Sequence, residues 1–158
     1  MKKNHGFTMV EVMVTVAIMG VLASIIGITM GILLGQRVKS MAADTKSVFQ
    51  STQIVAQSRD DAYIELRQNG SDATVIAYSA AGKEINRAEG HNVKMYVKIG
   101  SGAEQLVSST IAIHFDRQTG GIKPQTNGGS DYVTQIRITN GKRSVTLKIS
   151  RLTGKVTY

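Results

Sequence analysis

From Phe7 to Leu34 the chain carries 28 residues, Phe7 followed by Val, Ile, Met, Leu, Ala, Gly, Ser and Thr with one ionisable side chain among them, Glu11. Nothing charged follows until Arg37, while Lys2, Lys3 and His5 precede the run. A helix needs roughly 20 apolar residues to cross a bilayer. The run is therefore expected to span a membrane. A buried core helix would need a remainder able to enclose it on every side, and 158 residues with 42% hydrophobic and 5% aromatic content provide one domain with a modest core. A secretory signal peptide cut near Ser40-Met41-Ala42 would need an apolar region about twice the usual length. Lys2 and Lys3 on one side nearly balance Arg37, Lys39 and Lys46 on the other, so charge alone leaves orientation open.

With no cysteine, the chain has neither a disulfide framework nor a thiolate metal site. His5, His91 and His114 stand apart, without paired metal spacing, and no nucleophile motif occurs, so no enzymatic activity, cofactor or metal is expected. Asp116 and Asp131 lie near glycine-rich loops. Two scattered carboxylates fall short of the six or more oxygens a calcium ion takes, and both read as turn residues.

Past Arg37 the periodicity changes. Val38, Met41, Ala42, Thr45, Val48, Phe49, Thr52, Val55 and Ala56 follow an i, i+3, i+4, i+7 pattern, with charged and amide side chains largely off that face. One helix from Phe7 to about Arg59 is expected, about 80 Å long at 1.5 Å per residue. The rest reads as short strands between turn signals: Ala62–Gln68, Ala73–Ser79, Val93–Ile99, Thr110–Phe115, Tyr132–Thr139, Ser144–Leu152 and a short Val156–Tyr158. Asn140-Gly141 suits a two-residue hairpin that would set Ile138 opposite Arg143 and Ile136 opposite Val145. The expected organisation is a leader at 1–6, an apolar helix at 7–35, an amphipathic helix at 36–60 and a β-rich domain at 61–158, in the α+β class.

Two side-chain sets stand out. Gly20, Ser24, Gly27, Gly31 and Gly35 recur mostly four apart, a stripe that lets helix backbones approach closely in lipid. From Arg137 onward there are six basic residues and no acid: Arg137, Lys142, Arg143, Lys148, Arg151 and Lys155. With a formal net charge of +8, that stretch is a candidate contact for DNA phosphates in a membrane-tethered receptor, an alternative to the more ordinary reading as solvated strand edges that resist aggregation.

The segment Lys2-Lys3-Asn4-His5-Gly6-Phe7-Thr8-Met9-Val10-Glu11 is the most specific feature of the chain. A basic leader ending in Gly, then Phe-Thr, then Glu at the fifth position beyond, resembles the class III signal of type IV pilins and type II secretion pseudopilins. The resemblance implies cleavage between Gly6 and Phe7 by a prepilin peptidase on the cytoplasmic side, N-methylation of Phe7, and a carboxyl-terminal domain outside the cytoplasm. It also implies an inner-membrane location and an assembly platform that builds a filament from such subunits. Glycine before the scissile bond has no Cβ to obstruct a protease cleft. A carboxylate in hydrocarbon costs roughly 2.5 to 3.5 kcal/mol on insertion scales, so Glu11 is expected to have a partner. By resemblance that partner is the amino terminus of a neighbouring subunit; the residue would otherwise complement its own helix dipole. Major pilins usually carry a proline partway along this helix, whereas the only proline here is Pro124. Strand order and the Thr153-Gly154-Lys155-Val156 ending are similar to the minor pseudopilin branch typified by GspH and FimT, although DNA-binding members carry a more arginine-rich ending.

Overall fold

The computed structural model describes residues 7–58, 61–125 and 131–158; for residues 25–34 the backbone alone is described. The leader with Gly6, the side-chain faces at Gly27 and Gly31, and the Asn127-Gly128-Gly129-Ser130 turn lie outside the described residues. Helix α1 runs over Met9–Ser58. Two compact units divide the chain, Met1–Leu34 and Gly35–Tyr158. In the first, the described side chains are exposed along the helix, from Phe7 at 84% to Leu22 at 55%. Among the described residues no helix is long and apolar enough to cross a membrane.

The second unit is α+β. Its helical part, from Gly35 to Ser58, buries the periodic face read from sequence: Val38, Met41, Ala42, Thr45, Val48, Phe49, Thr52 and Ala56. Among the described residues nine strands follow, β1 (Tyr63–Asn69), β2 (Asp72–Tyr78), β3 (Glu84–Gly90), β4 (Lys94–Ile99), β5 (Glu104–Leu106), β6 (Ile111–His114), β7 (Val133–Thr139), β8 (Ser144–Ile149) and β9 (Val156–Thr157). They form a four-stranded sheet in the order β3-β2-β1-β6 and a five-stranded sheet in the order β5-β4-β7-β8-β9. Every pairing among the described strands is antiparallel.

Alternation of side chains along each strand sends one set inward. Ile64 and Leu66 of β1, Val75 and Ala77 of β2, Met95 and Val97 of β4, Ile136 and Ile138 of β7 and Leu147 of β8 join the helix residues in one core. Phe49 meets Phe115, just beyond β6, edge to face at 6.1 Å, the geometry favoured by the quadrupoles of two rings. That contact ties the helix to the smaller sheet.

Three details depart from the sequence reading. Strands β3 and β5 were not expected, and β8 ends at Ile149 because Ser150 begins a turn. In that turn the Ser150 amide donates to the Lys155 carbonyl at 2.9 Å, and the Gly154 amide to the Ser150 carbonyl at 2.8 Å. The β7–β8 hairpin is also centred one residue later than expected: Ile138 pairs with Val145 and Ile136 with Leu147, and Arg137 faces Thr146. Two forces select this register. Apolar partners stand opposite each other, and Asn140 Oδ1 accepts the amides of Lys142 at 3.1 Å and Arg143 at 2.8 Å. Gly141 takes the positive φ of 85° that the turn demands.

One polar atom in the helix interface lacks a partner. Thr45 Oγ1 is fully buried and makes no hydrogen bond among the described residues, whereas the equally buried Thr52 hydroxyl donates to the Val48 carbonyl at 2.6 Å. Val has the shape of Thr without the hydroxyl. Thr45→Val should therefore stabilise the folded unit by about 1 to 2 kcal/mol, while Thr52→Val should leave it unchanged or weaker. Urea unfolding of the two variants beside the parent checks both signs.

Candidate assembly site at the amino terminus

Helix α1 begins at Met9 because Thr8 caps it. The Glu11 amide donates to Thr8 Oγ1 at 3.3 Å and to the Thr8 carbonyl at 3.1 Å, and the Val12 amide donates to the same carbonyl at 3.3 Å. Thr8-Met9-Val10-Glu11 thus has the spacing of a capping box, with Thr as the cap and Glu at the third helical position. Thr8 is the capping residue, and its signal in the sequence is the Thr-x-x-Glu spacing immediately ahead of an apolar run. Glu11, in the first helical turn, also stands where a negative charge meets the positive end of the helix dipole.

Around this cap the surface is apolar. Phe7, Met9, Val10, Val12, Met13 and Val14 are all more than half exposed. Glu11 is the single carboxylate in that surface. In the small-residue stripe, Gly20 has open space where a side chain would stand, and the Ser24 hydroxyl donates to the Gly20 carbonyl at 2.8 Å. The Ser24 hydroxyl proton is thereby satisfied within its own helix. Gly35 differs. It is buried in the second unit, and a Cβ there would lie 2.7 Å from Arg143 Nη1, so the Arg143 side chain occupies the space that its missing side chain leaves.

The six basic residues of the carboxyl-terminal stretch are not brought together. Lys142 and Arg143 sit in the turn before β8, and Arg151 and Lys155 in the turn after it, at opposite ends of that strand. Arg137 Nε donates to Glu104 Oε2 at 2.6 Å, and its guanidinium lies 4.5 Å from the Tyr96 ring centroid. Arg151 stands 5.1 Å from the Tyr132 ring centroid. Lys148 is exposed on β8. Two of the six are thus already engaged with neighbouring side chains.

Of the two acidic residues near the glycine loops, Asp116 has structural work. Asp116 Oδ1 accepts the Thr119 amide at 2.9 Å, the Thr119 hydroxyl at 2.9 Å and the Gln118 amide at 3.1 Å. These bonds, the Thr119 amide foremost, hold its carboxyl below the usual range. No group of three or more His, Asp or Glu able to hold a metal ion occurs among the described residues.

The described residues thus open with a capped helix whose surface is apolar and exposed. Residues 1–27 match the family described as Prokaryotic N-terminal methylation motif, the prepilin motif of type IV pilins and pseudopilins. The match covers 27 of the 158 residues. No curated protein and no solved structure matches the chain.

Proposed function

We propose that this chain is a minor pilin or pseudopilin. It is made as a precursor, cut after Gly6 by a prepilin peptidase, N-methylated at Phe7, and assembled with other pilin subunits into a thin filament on an inner-membrane platform. The observation that carries this reading is the exposed apolar helix that starts inside the methylation motif. Such a surface is stable only against lipid or against other helices, and one sequence serves both states in turn. Before assembly, the 28-residue run from Phe7 to Leu34 holds the subunit in the bilayer. In the filament the same run packs against its copies, with the stripe at Gly20, Ser24, Gly27 and Gly31 allowing close approach.

The role of each amino-terminal residue follows. Gly6 admits the peptidase, Phe7 supplies the amine that is methylated, Thr8 secures the first helical turn, and Glu11 offers the carboxylate that pairs with a neighbour's amine. Methylation leaves that amine charged and removes one donor, so the pairing survives the modification.

Processing is the direct test. Amino-terminal sequencing and intact mass of protein from the native host should give a chain that starts at N-methylated Phe7. Gly6→Val should abolish this cleavage, because a β-branched residue crowds the cleft and stiffens the backbone. A mature terminus at Ala43 would instead identify a secretory signal and overturn the assignment.

A further inference from the structure

Five cations converge at the end of the folded unit where the chain arrives from its apolar run. Arg37 and Lys39 lie just past Leu34 in sequence. The β7–β8 turn adds Lys142 and Arg143, drawn to this end because the Arg143 side chain lies across Gly35, within 2.7 Å of where a Cβ would stand. Lys94 opens β4 beside Thr139, its register partner, and shares a hollow with Asn140 and Gly141 of the same turn. All five are exposed, and none is ion-paired among the described residues.

The acids nearby are fewer than the five cations, and one of them is already paired. Glu89, which lines a hollow with Arg37, is held by Arg87 at 2.7 Å. Asp72 accepts the Asn92 amide at 3.0 Å and faces His91 Nδ1 at 3.1 Å. Asp44 accepts the Ser40 hydroxyl at 3.2 Å. The end of the unit contiguous with the apolar run therefore presents positive charge, assembled from residues more than 100 positions apart in sequence.

We infer that this surface docks on anionic lipid headgroups and holds the folded unit against the bilayer before assembly. The inference rests on the membrane reading of the apolar run. Its physical basis is the attraction of clustered Lys and Arg to an anionic leaflet, about fivefold in affinity for each cation near the surface. Position selects lipid over other polyanions: the cations begin three residues beyond Leu34, within reach of headgroups for any chain whose run is in the bilayer.

The test uses the full chain in lipid nanodiscs with Ser144→Cys as its only cysteine, since the sequence has none of its own. Ser144 is exposed and next to the turn. Labelling by a membrane-impermeant maleimide should be at least fivefold slower in phosphatidylglycerol discs than in phosphatidylcholine discs. High salt should remove the difference, as should the double variant Arg37→Glu with Lys142→Glu. Equal rates in the two discs, with the chain present in both, would overturn docking and leave the span standing. Failure of the chain to co-migrate with either disc would overturn the span and docking together. Slowing by added duplex DNA in phosphatidylcholine discs, with none from anionic lipid, would assign the surface to nucleic acid and overturn the lipid inference.

Discussion

Glu11→Ala should give a subunit that is cut and inserted in the membrane normally yet is at least tenfold depleted from sheared filaments. A more apolar helix inserts at least as well as the parent, and the Thr8 cap remains, so the early steps are spared. The loss comes at assembly. Without the carboxylate, an incoming helix leaves its neighbour's ammonium buried and unpaired, at a penalty of several kcal/mol. Glu11→Gln keeps the shape without the charge and should fail in the same way. The capping box permits a sharper distinction. If Glu11 acted only on its own helix terminus, Thr8→Ala would produce a comparable assembly defect, because it removes the other half of the box at a cost of about 1 kcal/mol. Pairing with a neighbour instead predicts a mild effect of Thr8→Ala beside a severe one of Glu11→Gln. The electrophoretic shift that reports leader removal, set against subunit recovered in filaments, separates the two. Normal incorporation of both Glu11 variants would refute the pairing role.

Gly154→Ala should destabilise the folded unit by about 3 kcal/mol or more in urea unfolding. Two costs add. The φ of 63° disfavours any side chain by about 1 to 2 kcal/mol, and a Cβ would lie 2.2 Å from the Gly120 carbonyl oxygen, a backbone atom unable to swing away. Gly141→Ala is the matched control: its φ is 85° with no neighbour within 4 Å, so only the strain is incurred. A clash at Gly154 carries further because Gln53 Nε2, from the helix, donates to the Gly120 carbonyl at 2.9 Å and to the Thr153 carbonyl. Displacing one turn loosens the other and their shared tie to α1. Equal losses for the two variants would show that the turns part without cost.

The helix was legible because its signal is local and repeated. A period near 3.6, sustained over about 20 residues, fits a helix with one buried side and no strand. Eight of the nine positions it named are buried, with Val55 partly so. Strand β3 was not legible. Its outer face is charged, with Arg87 held by Glu84 and Glu89, and only Ala88 and Gly90 turn inward, so no apolar alternation marks it. Strand β5 is three exposed residues, an extended segment made into a strand by Tyr96, Val97 and Lys98 opposite. The hairpin register hinged on one side chain, Asn140, whose choice of amides no propensity records. At the amino terminus the motif was readable outright, because spacing along a single helix is a property of sequence. The basic surface was not, since it depends on Arg143 crossing Gly35 and on Lys94 arriving beside Thr139, both products of tertiary packing.

The strand lengths have a bearing on crowding. The larger sheet ends in β5, of three residues, and β9, of two, while the smaller ends in the charged β3 and the four-residue β6. Short or charged borders offer few free amides and carbonyls in a row, so another sheet finds no template on which to extend the ladder. In the filament proposed above, that reticence would leave the helix as the route of polymerisation. Packing of helices against one another would then meet no competition from extension of either sheet.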